Sequence, residues 1–109
     1  MDLEKLQQWV REDWEHSSKK QPDRHLQLVY LIEELGEVME AIRMSQGDKG
    51  RKRMRSDIEG EMGDVIIALA TIANSYEINL TRAIKKSKTK IIKRHKLELT
   101  QSDAIRGAK

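Results

Sequence analysis

The chain has 109 residues with a net charge of +3, no Cys, no Phe, two Trp and two Tyr. That length makes one domain with a modest core built from Leu, Ile, Val, Met and Ala. The composition excludes disulfides and thiolate metal sites, and no apolar run reaches the roughly 20 residues a membrane span needs. The opening MDLEKLQQWVRED is charged throughout and lacks a signal-peptide core, so the expected location is the cytoplasm.

Four helices are predicted in chain order. The first covers about residues 2–17, with Leu3, Leu6, Val10 and Trp14 at helical spacing, and Trp9 and Trp14 are expected in its apolar stripe. The second starts at Pro22-Asp23, where Pro suits a first turn and Asp favours the helix dipole. It runs to Ser45, with Leu28, Leu31, Leu35, Val38, Met39 and Ile42 on one broad face. Gly47-Asp48-Lys49-Gly50 ends it, and residues 51–55 are a basic loop or first turn. The third begins at Ser56-Asp57, with Ser56 able to cap, and continues to Tyr76 with Ile58, Met62, Val65, Ile66, Leu69, Ile72 and Ala73 turned to the core. Asn79 or Thr81 caps the fourth, which carries Ala83, Ile84, Ile91 and Ile92 and frays by Leu99. With no strand hairpin signal, the reading is an all-α, four-helix antiparallel bundle. Residues 1–99 form its single domain and residues 100–109 a mobile tail. Apolar residues on the first and fourth helices call for cover from another copy.

Charge is segregated along the chain. Residues 1–80 hold 11 Lys/Arg against 16 Asp/Glu, a balance of −5, while residues 81–109 hold 10 against two, a balance of +8. A basic tail of this kind is either a solvated face or the contact for an anion held near the carboxylates.

The carboxylates stand where a core is expected. Glu34 and Glu37 are three apart on the second helix, and Glu61 and Asp64 repeat that spacing on the third. Ala68, one turn after Asp64, leaves room beside it. If these helices pack antiparallel, the pairs converge, and clustered carboxylates in a groove persist only when cations neutralise them. Oxygen donors alone suit Mg²⁺, Mn²⁺ or Ca²⁺. A di-iron bundle would use Glu-x-x-His pairs. His16, His25 and His95 occupy none of those positions. A redox-inert metal and hydrolytic or phosphoryl chemistry follow. A polar stripe in solvent is the bland alternative for either pair alone, and two matched pairs inside apolar helices weigh against it.

Glu33-Glu34-x-x-Glu37, 23 intervening residues, then Glu61-x-x-Asp64 resembles the signature of the MazG-like nucleotide pyrophosphohydrolases, within the all-α superfamily that also holds dimeric dUTPases and phosphoribosyl-ATP pyrophosphohydrolases. The contexts LIEELGEVMEAI and EGEMGDVIIALA look like the family's two helices, and the resemblance covers residues 22–95. Gly60 departs from members that carry another Glu there. The resemblance implies Mg²⁺-dependent hydrolysis of a nucleoside triphosphate to the monophosphate and pyrophosphate, with Mn²⁺ as a substitute ion. The role implied is housecleaning of non-standard or excess nucleotides. It casts Glu34, Glu37, Glu61 and Asp64 as metal ligands and Glu33 as the residue that orients or deprotonates the attacking water. Lys90 and Arg94, with Lys88 where Asn is commoner, align with its phosphate contacts. Tyr30, one turn before Glu34, is a candidate for the base pocket, together with Trp14 and His25. The family forms dimers and dimers of dimers. Within the class, a dUTPase-like or phosphoribosyl-ATP-cleaving relative is the alternative, separated by substrate profiling. Outside it stands a basic nucleic-acid-binding module without catalysis, resting on the +8 tail and Arg51-Lys52-Arg53-Met54-Arg55. It lacks a recognition motif and interleaved aromatics, and the 16 acids of residues 1–80 would repel a duplex. A silent bundle that binds Mg²⁺-nucleotide without cleaving it is a third reading.

Overall fold

The computed structural model describes residues 1–18, 20–46 and 55–107. Among them are four helices and no strand: α1 (Leu3–His16), α2 (Arg24–Ser45), α3 (Arg55–Ser75) and α4 (Leu80–Gly107). They divide into two compact units, Met1–Ile78 with α1 to α3, and Asn79–Lys109 with α4.

Short polar residues open three of the helices. Asp2 caps α1, its Oδ1 accepting from the Lys5 N–H at 2.8 Å. Asp23 caps α2, accepting from the Leu26 N–H at 2.9 Å. Asn79 caps α4, its Oδ1 accepting from the Arg82 N–H at 2.9 Å. Each side chain satisfies a backbone donor that has no partner inside its helix. Two expectations shift by a residue or so. Pro22 lies just outside α2 rather than in its first turn, and Ser56 is already inside α3. The expected break at residues 47–50 and the basic stretch at 51–54 lie outside the described residues. α4 does not end at Leu99 but continues to Gly107, because no Pro or Gly interrupts it before that position.

α3 closes with a left-handed turn. The Ile78 N–H donates to the Ala73 carbonyl at 2.8 Å and the Glu77 N–H to that of Asn74 at 3.2 Å. This pair of bonds defines a Schellman ending, whose penultimate residue takes the αL conformation. Here that residue is Glu77, with φ 55°. Glycine usually holds such a position, because a Cβ is strained there.

In the first unit α3 packs against both α2 and α1. α2 runs antiparallel to it, since the start of α2 meets the end of α3. Arg24 Nη2 donates to the Ser75 carbonyl at 2.7 Å, and Ser75 Oγ donates to Gln27 Oε1 at 2.8 Å. The Arg24 guanidinium also lies 4.4 Å over the Tyr76 ring, a cation–π contact. On the α1 side, Gln7 Nε2 donates to Asn74 Oδ1 at 3.0 Å and to the Ile78 carbonyl at 2.7 Å. Asn74 Nδ2 returns a bond to the Gln7 carbonyl at 3.0 Å. The last turn of α3 is therefore where both neighbouring helices are fastened.

Among the described residues few apolar side chains are buried: Leu6, Val10, Ala41, Ala70 and Ala73. Most of the broad face expected on α2 is open, and so is part of the one expected on α3. On α2, Leu28, Leu35, Met39 and Ile42 are exposed, Met39 to 67%; on α3, so are Met62, Ile66 and Leu69. Trp9, placed in the stripe of α1 by its spacing, is 47% exposed. α2 and α3 are apolar around most of their circumference, and a three-helix unit can cover only part of each.

Two substitutions test this account. Asn74→Ala removes both hydrogen bonds that join Asn74 to the buried Gln7 of α1, so denaturant unfolding should show a loss of about 1–3 kcal/mol; an unchanged midpoint would refute the α1–α3 fastening. Glu77→Gly relieves the αL strain and should raise stability by up to about 1 kcal/mol. A drop would mean that the Glu77 side chain does something the turn geometry does not reveal.

Candidate metal and nucleotide site

The acidic segments fall in the middle of α2 and toward the middle of α3. The antiparallel arrangement turns them toward each other. One carboxylate oxygen each from Glu34, Glu61 and Asp64 lies within 4.8 Å of the other two. Glu34 and Glu61 are half-buried and Asp64 is exposed. Three like charges so close repel by about 1 kcal/mol per pair even at the dielectric of water, and by more in a groove. Glu34 Oε2 is also buried without a hydrogen-bond partner, an arrangement that is costly for an isolated protein. The donor set is oxygen only, which suits a hard divalent cation. Buried carboxylate oxygen facing two further carboxylates fits such an ion.

The other acids of the motif are placed differently. Glu37, one turn beyond Glu34, is exposed and lies outside this group of three, and Glu33 is exposed on α2 beside Glu34. Gly36 and Gly63 stand next to the carboxylates in sequence, and a Cβ at either would meet nothing within 4 Å among the described residues.

A cavity of about 330 Å³ opens beside the carboxylates. Glu34 and Asp64 line one part of it. Trp14 from α1 and Tyr30 from α2 contribute aromatic walls, and Pro22, Ile67 and Ala68 apolar ones. Its polar remainder is Gln27 and Thr71, both buried. Trp14 and Tyr30 are thus brought together with two of the carboxylates, whereas His25 is exposed and does not line the cavity. Gln27 and Thr71 were not singled out by sequence. Their only signal is a polar residue interrupting an otherwise apolar helix face. Lys88, Lys90 and Arg94 are exposed on α4, in the second unit.

Comparison with known proteins bears on the whole arrangement. Residues 21–98 match the MazG nucleotide pyrophosphohydrolase domain. The uncharacterized protein YvdC of Bacillus subtilis (strain 168) is 26% identical over 102 residues, spanning 86% of this chain and 96% of that protein. YpjD of the same organism is 40% identical over 55 residues, about half of each chain. A crystal structure described as the Bacillus-conserved MazG protein, a nucleotide pyrophosphohydrolase, superposes with a TM-score of 0.72 at 23% identity, over 84% of this chain and 90% of that one. At that identity the superposition speaks for the fold, which is the all-α one expected from sequence. With the domain match covering most of the chain, and the paired acidic segments meeting at one cavity, the chain belongs to the MazG nucleotide pyrophosphohydrolase family of hydrolases.

Proposed function

We propose that this chain hydrolyses nucleoside triphosphates to monophosphate and pyrophosphate with Mg²⁺ as its ion, Mn²⁺ substituting. The observation that carries this reading is the convergence of Glu34, Glu61 and Asp64 on one point beside a cavity with aromatic walls. These three carboxylates hold the ion, and Glu37 joins them from the next turn of α2. Bound there, a divalent cation supplies Lewis-acid polarisation of the phosphate chain. The residues of the chain do the rest. Glu33, in solvent beside Glu34, orients the attacking water and takes its proton. Water then adds at the α-phosphorus, the bond to the bridging oxygen breaks, and pyrophosphate leaves with the electron pair. Lys90 and Arg94, one turn apart on α4, neutralise the departing phosphates, with Lys88 adjoining them. Trp14 and Tyr30 flank the base. The role is cytoplasmic housecleaning of non-standard or excess nucleotides; a preference for dUTP or phosphoribosyl-ATP is the alternative within the class. No described helix is long and apolar enough to cross a membrane.

A second copy completes the protein. The apolar residues left open on α2 and α3 are the surface a homodimer, or a dimer of dimers, would bury, and Lys90 and Arg94 reach the cavity from the neighbouring copy. Sedimentation at micromolar concentration should show at least a dimer. A 12.7 kDa species there would eliminate this assembly.

Pyrophosphate release from a panel of ribo- and deoxynucleoside triphosphates tests the reaction. It should require Mg²⁺ and stop with EDTA, and Asp64→Asn should lower kcat/KM at least about a hundredfold, the scale of losing one charge-stabilising group. Release that persists in EDTA would sink the proposal. Glu34→Gln adds a readout independent of turnover. Without metal it should raise the thermal midpoint by roughly a few degrees, by relieving repulsion among the carboxylates, while the upward shift that Mg²⁺ gives the native protein disappears. A Mg²⁺ shift that survives the substitution would remove Glu34 from the ion site.

A further inference from the structure

The polar end of the cavity has a fixed hydrogen-bonding polarity. Gln27 is 4% exposed, and both ends of its amide are committed. Nε2 donates to the Pro22 carbonyl at 2.7 Å, and Oε1 accepts from Ser75 Oγ at 2.8 Å. A carbonyl can only accept, so the nitrogen must face Pro22 and the amide cannot flip. One N–H and one oxygen lone pair remain for a ligand. Thr71, 7% exposed, donates its hydroxyl proton to the Ile67 carbonyl at 3.1 Å. While that bond is kept, its oxygen presents an acceptor. This end offers two acceptors, Gln27 Oε1 and Thr71 Oγ1, and one donor, Gln27 Nε2.

Its distance from the carboxylates is set by the helices. Gln27 precedes Glu34 by seven residues on α2, and Thr71 follows Asp64 by seven on α3. Seven residues are about two turns, or about 10.5 Å along each axis. The cavity thus has a carboxylate end and an amide end, separated by about the span from the phosphate of a nucleotide to the outer edge of its base.

We infer that Gln27 and Thr71 select bases carrying an amino group beside an unprotonated ring nitrogen, cytosine and adenine, over the deaminated forms uracil and hypoxanthine. This rests on the reading of the cavity as the nucleotide site. The exocyclic amine has two protons, one for Gln27 Oε1 and one for Thr71 Oγ1, and the ring nitrogen accepts from Gln27 Nε2. In a deaminated base an oxygen replaces the amine and the ring nitrogen carries a proton. That oxygen would meet two acceptors and the ring N–H would meet a donor. A buried polar group left in this way discriminates far better than shape does.

The test compares CTP with UTP and ATP with ITP, as ribo- and deoxynucleotides, by kcat/KM for pyrophosphate release, and compares CMP with UMP by calorimetric binding. The amino-bearing member of each triphosphate pair should be favoured at least about tenfold, and CMP should bind more tightly than UMP. Thr71→Val keeps the shape and removes one acceptor. It should lower the rates for CTP and ATP by a larger factor than those for UTP and ITP, shrinking the preference within each pair. Equal rates within both pairs, or a ratio untouched by Thr71→Val, would overturn the inference and leave the hydrolase reading intact. If no triphosphate is cleaved, that reading falls, and the monophosphates decide the inference alone: tighter CMP binding upholds it, and equal or undetectable binding of both overturns it. The native CTP–UTP and CMP–UMP comparisons need no variant, so a Thr71→Val protein that fails to fold does not shield the idea.

Discussion

The antiparallel packing of α2 on α3 is the constraint on which the rest of the first unit depends. It brings carboxylates that are distant in sequence within 4.8 Å of one another, against their mutual repulsion. The packing must therefore be held by something else, and that lies two turns away and beyond. Gln27, Ser75 and Arg24 bond across the far ends of the same two helices, and Gln7 and Asn74 add α1 to the assembly. Favourable bonds at one end hold an unfavourable cluster together at the other. Strain of this kind, offset elsewhere in a fold, is common at sites that bind charged ligands.

Much of this was legible in the sequence, because it follows from local periodicity. The spacing of Glu34 from Glu37 and of Glu61 from Asp64 sets which sides of two helices carry charge, and Asp23 and Asn79 mark two of the helix starts. What was not legible depends on how the helices are shared out. Leu28, Leu35 and Met39 belong to the same apolar face as Leu31 and Val38, yet only the latter two are half-buried. Periodicity identifies an apolar face without identifying the neighbour that covers it. Ala41 and Ala70 carry little hydrophobic weight in a sequence window, yet both are fully enclosed.

The polar residues of the cavity were hidden for a related reason. Gln27 and Thr71 read as tolerated polar residues on helices rich in Leu and Ile. Their meaning comes from partners fixed by tertiary structure: a proline carbonyl outside α2, a serine at the end of α3 and a carbonyl one turn back. Trp14 and Tyr30 were accessible because an aromatic residue near an acidic motif is a conspicuous signal. His25 illustrates the limit of proximity in sequence, since it lies two residues before Gln27 on the same helix and faces solvent.

The last turn of α3 fastens both neighbouring helices, and Asp64 lies upstream of it on the same uninterrupted helix. Each residue of an α-helix advances the chain by about 100° around the axis. Inserting or deleting one residue between Asp64 and Thr71 would keep the fastening turn in place and swing Asp64 about a quarter turn away from Glu34. Over this stretch the number of residues is constrained as firmly as the small size of the buried Ala70.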